Sequence, residues 1–272
     1  MRRLLPPCAL VAAALIASVA SARTPGERHR GPGARAIPRT SRSIGYPWRG
    51  TLRGGVRAAP NAFMRHTGEY VDGGAFHGTW ELVQLLERAA YRVWRRAPGA
   101  KLSVGELSSP GGGEIAGHSS HENGRDVDIA FYMLDARGRP FEPYAFAEFD
   151  SAGRGRPPNQ ALRFDDTRNW ELVAKLVADG DARVQFIFVG RAVRRRLLDA
   201  ARRRGAPTIL IERAERVLVQ PAEGHPHRNH FHLRIYCPPS DRPSCEDRPP
   251  FHPWYPGGLP SAPALVVAPL GD

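Results

Sequence analysis

The chain has 272 residues, which suits one ordinary domain with tails or at most two small ones. Hydrophobic residues make up 42%, enough for a core, while 28 Gly and 26 Pro place much of the chain in loops. The net charge of +12 is almost wholly Arg, since only Lys101 and Lys175 are Lys, and three cysteines are too few for a zinc site built mainly on thiolates.

Arg2 and Arg3, the apolar run Cys8 to Ala17 and the Ala20-Ser21-Ala22 cleavage site read as a secretory signal over residues 1–22. The run is too short for a comfortable membrane span and no later stretch offers one, so an exported protein with no integral membrane segment is expected. Cys8 leaves with the signal. Cys237 and Cys245 remain as a pair, and in an oxidising compartment a disulfide between them is expected over two free thiols. Losing the signal removes two arginines and no acid, leaving +10. That charge fits attraction to an anionic polymer of the cell wall or surface, and equally an Arg-rich solvated face; export argues against nucleic acid.

Residues 23–42 are rich in Arg, Gly and Pro without periodicity and read as a disordered linker. Order is expected from Ser43, with a short strand or turn at Leu52 to Val56. Thr79 to Arg96 is the clearest helix: Thr79 caps it, Trp80, Val83, Leu86, Ala90, Val93 and Trp94 recur at helical spacing, and Ala97-Pro98-Gly99 stops it. Trp80 and Trp94 are read as core packing, not a ligand-stacking pair. Leu102 to Leu107 reads as a strand, and Pro110 to Gly113 as a flexible loop with no Gly-Lys-Ser/Thr to make it a phosphate loop. Asp126 to Phe131 alternates as a strand, with Asp126 and Asp128 on one face and Val127 and Ile129 on the other. Residues 137–158 form a Gly/Pro-punctuated loop beside the site. A helix at Thr167 to Asp179, a strand at Val184 to Val189 and a basic helix at Arg191 to Arg204 follow; Leu210 to Val219 fits either helix or strand. His230 to Tyr236 alternates, with His230, His232 and Arg234 facing one way and Phe231, Leu233 and Ile235 the other. Residues 250–272 read as a Pro-rich tail, leaving 43–249 as the domain.

Five of the ten histidines lie in two short stretches, His118 to Asp128 and His227 to His232. A catalytic zinc takes three ligands from His, Asp or Glu and keeps an open position for water. His121, on a turn that Gly124 allows, and Asp128, on the next strand, can converge on one Zn2+ with His232 from the second strand. His230 lies on the same strand face, within reach of a zinc-bound water, and His227 precedes it. No His-Glu-x-x-His helix is present, so the usual glutamate base is missing and His230 takes that place, histidine being the side-chain type suited to proton transfer near neutral pH. His227 would stabilise the developing oxyanion.

Gly117-His118-Ser119-Ser120-His121-Glu122-Asn123-Gly124-Arg125-Asp126-Val127-Asp128-Ile129 resembles the first zinc motif of the penicillin-insensitive murein endopeptidases. His227-Arg228-Asn229-His230-Phe231-His232-Leu233-Arg234, followed by Cys237-Pro238 and Cys245-Glu246-Asp247, resembles their second. These enzymes group with lysostaphin, the D-Ala-D-Ala metallopeptidases and hedgehog. The resemblance implies zinc on His121, Asp128 and His232, catalytic partners His230 and His227, and His118 lining the site. It implies an α+β fold in which a small antiparallel β-sheet carries the zinc site, flanked by helices. It also implies a periplasmic zinc metallopeptidase that cuts the D-alanyl–diaminopimelate cross-link of peptidoglycan. The alternatives are a D,D- or L,D-carboxypeptidase on the same scaffold, or a non-catalytic zinc-containing wall-binding protein.

Overall fold

The computed structural model describes residues 40–258 apart from residue 100. The signal, nearly all of the linker and residues 259–272 lie outside the described residues. The chain opens with an antiparallel hairpin, β1 (Arg42–Tyr46) and β2 (Arg49–Arg53). β3 (Val56–Arg57) pairs with β5 (His77–Gly78), and β4 (Met64–His66) lies between them in sequence. Helix α1 (Trp80–Arg96) follows, with the Thr79 side chain accepting the Leu82 N–H at 3.3 Å. Leu82, Leu85, Leu86, Ala89 and Val93 of α1 are all fully buried. Trp94, half-buried, meets Phe63 and Tyr91.

Next come β6 (Leu102–Val104), β7 (Asp126–Ala130) and a small sheet of β8 (Met133–Leu134), β9 (Pro140–Phe141) and β10 (Arg163–Phe164). Helix α2 (Asp166–Ala178) is capped by Asp165, whose carboxylate accepts the Arg168 N–H at 3.0 Å. β11 (Val184–Phe188), α3 (Arg191–Arg203), α4 (Thr208–Val217), β12 (Leu218–Val219) and β13 (His230–Ile235) complete the order. The ambiguous 210–219 stretch is therefore both: a helix that ends in a two-residue strand.

The main sheet has six strands in the order β12-β11-β13-β7-β6-β4. Its four inner strands are antiparallel, while both edges, β12 on β11 and β4 on β6, are parallel. The sheet is thus mixed at its margins and antiparallel where the site lies. Val127, Ile129, Phe231 and Leu233 share one buried core with Leu82, Leu86, Val93, Leu172 and Leu176 of the helices. Burying that face against helices leaves the other face of β7 and β13 for polar groups.

Two details differ from expectation. The 110–113 loop is pinned: the Gly111 carbonyl accepts the Leu52 N–H, Gly113 N–H reaches the Glu122 carbonyl, and Gly112, at φ +71°, leaves no room for a Cβ against that same carbonyl. Residues 250–254, read as tail, pack onto the sheet. Pro250 accepts from Tyr236 Oη, His252 Nε2 meets the Gln185 carbonyl, and Trp254 Nε1 donates to Val184. Cys237 and Cys245 are bonded, with Cα atoms 5.8 Å apart. No helix among the described residues is long and apolar enough to cross a membrane.

Candidate metal centre

The register of β13 on β7 builds the centre. It sets His232 opposite Asp128 and Arg234 opposite Asp126. Residues directly opposite on one face have Cβ atoms about 5 Å apart, so acid–base contacts follow from the pairing. A slip of one residue would turn every one of these side chains into the apolar core. The turn before β7 brings the first motif onto the same face. Gly124, at φ +77°, folds the chain back, and its carbonyl accepts the Thr79 N–H at 2.8 Å.

Asp128 is 3% exposed and is the hub. Its Oδ1 lies 3.5 Å from His121 Nε2, 3.2 Å from His232 Nδ1 and 3.4 Å from His230 Nε2; its Oδ2 lies 3.9 Å from His118 Nδ1. Each imidazole faces an acceptor beyond its other nitrogen, within hydrogen-bond distance for three of them and as a looser ion-pair contact for His232. Leu107 O sits 2.8 Å from His121 Nδ1, Glu106 Oε2 2.6 Å from His118 Nε2, Asn229 Oδ1 2.8 Å from His230 Nδ1, and Asp126 Oδ1 3.4 Å from His232 Nε2. An acceptor on the outer nitrogen fixes the tautomer and leaves the inward lone pair free, the arrangement a metal-binding histidine needs.

His121 Nε2 and Asp128 Oδ1 are buried without a hydrogen-bond partner. Buried polar atoms are rarely left so. An imidazole nitrogen and a carboxylate oxygen facing each other in this state are donors that suit a divalent cation. His118, His121 and Asp128 form the tightest group, with one donor atom from each within 4.8 Å of the others. The structure brings His121, Asp128 and His232 together, and His118, which lines the cleft, stands close enough to Asp128 to join them. His227 lies beside them, its ring centroid 5.0 Å from His230 and 5.3 Å from His232.

The electrostatics follow from burial and proximity. Burial alone would raise the Asp128 carboxyl, but His121 and His230 outweigh it and hold it well below the usual carboxylate range. Burial alone would lower His232, but Asp126 and Asp128 outweigh it and raise it to about 9. The Glu106 hydrogen bond raises His118. Burial, with His232 and His230 adding to it, lowers His227 to about 3.

Two of these histidines carry backbone strain. His121 has φ 73° and His227 φ 48°, the only non-glycine residues with positive φ among those described. No sequence signal marks this. Glu106, Phe146, Phe188 and Trp48 were missed as well, because they reach the site only through the fold. Phe146 comes from the 137–158 loop and stacks on His230 at 4.7 Å. Asn229 could have been found, since it stands next to His230 in the motif. Trp48, Phe146, Phe188 and Asn229 line an open cleft of about 540 Å³ that also reaches the buried Asp128, a volume in the usual range for ligand sites.

A family model described as penicillin-insensitive murein endopeptidase matches residues 43–255. Curated proteins of that name are also similar. The one from Salmonella heidelberg (strain SL476) is 28% identical over 246 residues, covering 86% of this chain and 78% of its own. The one from Klebsiella pneumoniae (strain 342) is 29% identical, covering 87% and 80%. The one from Haemophilus influenzae is 31% identical over 181 residues, covering 64% and 56%.

Proposed function

The chain belongs to the penicillin-insensitive murein endopeptidase family, a family of metallopeptidases, and we propose that it is a zinc-dependent D,D-endopeptidase of the cell wall. Its substrate would be the D-alanyl–diaminopimelate cross-link between peptidoglycan stem peptides, and its place of action the periplasm. The observation that carries this reading is the convergence of four imidazoles on the buried Asp128, which an open cleft reaches.

His121, Asp128 and His232 would hold the zinc. When bound, zinc supplies Lewis acidity, lowering the pKa of a water and polarising a carbonyl. His230 would act as general base: Asn229 engages its Nδ1, so Nε2 is the atom that receives the proton from water and returns it to the leaving amine. The Phe146 ring holds that imidazole in plane and dries one of its faces. His227, in the same cleft, would donate a hydrogen bond to the oxyanion. The reaction is hydrolysis: the amide C–N bond breaks, water adds its oxygen to the carbonyl carbon, and its protons end on the carboxyl and amine products.

The His118, His121 and Asp128 group favours a second ligand set in which His118 replaces His232. Metal content separates the two. On the first reading His121→Ala, Asp128→Ala and His232→Ala lose zinc and His118→Ala keeps it; on the second, His118→Ala loses it and His232→Ala does not. In both, His230→Ala keeps zinc and loses turnover. Full activity in His230→Ala would remove the base assignment.

A further inference from the structure

We infer that Asp126, neutralised by Arg234, is a positioning residue that ties the two halves of the metal centre together. This rests on the reading of His121 and His232 as ligands. Asp126 is fully buried and does not line the cleft, so it touches no substrate. Its two oxygens serve two segments that are far apart in sequence. Oδ1 lies 3.4 Å from His232 Nε2 in the second motif, and Oδ2 accepts the His121 backbone N–H at 3.2 Å in the first.

Both contacts act on ligand geometry. The Asp126 carboxylate beside Nε2 orients the ring so that Nδ1, the atom 3.2 Å from Asp128, faces the centre. The hydrogen bond to the His121 amide holds a residue whose φ of 73° is costly for any side chain with a Cβ. Released from Asp126, His121 would relax and swing its ring away from Asp128.

Arg234 makes this placement tenable. A buried carboxylate with no partner is costly, and the pairing offsets that cost. Arg234 Nε donates to Oδ1 at 2.6 Å and Nη2 to Oδ2 at 3.1 Å, a two-pronged pairing from the position opposite on β13. The Arg234 guanidinium in turn lies 5.8 Å from the rings of Trp48 and Phe188, which shield it. The unit is therefore assembled from the β1–β2 turn, β7, β11 and β13.

The test is zinc affinity, read by competition with a chromophoric chelator, on the purified protein and on Asp126→Asn and the double variant Asp126→Asn/Arg234→Gln. The double variant removes both charges, so it avoids stranding a buried guanidinium. Circular dichroism reports the fold, and the visible spectrum of the cobalt(II)-substituted protein reports ligand geometry. Both variants are expected to fold, to bind zinc about 10- to 100-fold more weakly and to show an altered cobalt spectrum. Wild-type affinity and an unchanged spectrum in either folded variant would overturn the inference. Loss of fold in both would also overturn it, in favour of a purely structural ion pair. Wild-type zinc affinity in His121→Ala or His232→Ala would instead refute the ligand set, a separate failure.

Discussion

Asp247→Asn should destabilise the protein more than removal of its partner Arg125. Arg125 is 1% exposed and donates to Asp247 Oδ1 at 2.6 Å, to the Ile235 carbonyl at 3.2 Å and to the Glu246 carbonyl at 2.9 Å. Burial pushes its guanidinium pKa down, and Asp247 does most to hold it charged. Asp247 has further partners: Arg242 Nη2 at 2.7 Å and the Cys237 N–H at 3.1 Å. The pair is thus asymmetric. Asp247→Asn leaves a buried cation whose remaining direct partners are carbonyls, a loss of about 3–5 kcal/mol. Arg125→Met leaves Asp247 still compensated by Arg242 and strips two carbonyls of a donor, about 1 kcal/mol each. For a domain of this size 1 kcal/mol moves Tm by roughly 2–4 °C, so Asp247→Asn should fall by about 6–20 °C and Arg125→Met by about 4–8 °C. The double variant should resemble Arg125→Met, because the stranded charge is gone. Calorimetric or circular-dichroism melting of the four proteins is the assay. An Asp247→Asn loss below about 1 kcal/mol, or a double variant less stable than Asp247→Asn, would refute the reasoning, since neither fits a desolvated charge pair.

The Cys237–Cys245 disulfide spans eight positions, and chain-entropy arithmetic for so short a loop gives about 2.5 kcal/mol. The Cys237→Ala/Cys245→Ala variant should melt about 5–10 °C lower, and an unchanged melting point in calorimetry would contradict that value. Asp179 lies on the turn after α2 and pairs with Arg88 of α1 through two hydrogen bonds of 2.8 Å. Burial tends to raise its pKa, but the Arg88 hydrogen bond and the Ala182 N–H outweigh it and hold it below the ordinary value. A depressed folded-state pKa gives stability that is present above the unfolded value, near pH 4, and lost as pH falls through the folded value. Asp179→Asn should therefore lower Tm at pH 7, and its deficit should shrink when both proteins are melted near pH 3; a deficit independent of pH would count against the pairing.

The sequence carried the site further than the fold. β7 and β13 were legible because strict alternation sorts Asp126 and Asp128 from Val127 and Ile129, and His230, His232 and Arg234 from Phe231, Leu233 and Ile235. α1 was legible through Thr79 and its apolar period. The parallel edges were not. Met64 to His66 and Leu218 to Val219 are too short to carry a period, and they are strands only because Leu102 and Ile187 lie beside them. The same limit applies within the site. His121 was visible as a candidate ligand, but not its φ of 73°, which follows from Asp126, Leu107 and Ser108 closing around the turn. His118 was visible only as a neighbour, because Glu106, which aims its ring, arrives from β6 and the loop after it. Residues 250–254 were legible only as the start of a Pro-rich tail, since prolines carry no period, and three side-chain to backbone hydrogen bonds fasten that segment to the sheet.

The most direct test of the account is digestion of purified sacculi with the purified protein, with and without a chelator, and mass spectrometry of the released muropeptides. The account predicts that cross-linked dimers become monomers with intact stem peptides, that the chelator stops this, and that zinc restores it. Shortened stems with the cross-links intact would indicate a carboxypeptidase, and no conversion by zinc-loaded protein would contradict the peptidase mechanism placed on His121, Asp128, His232 and His230.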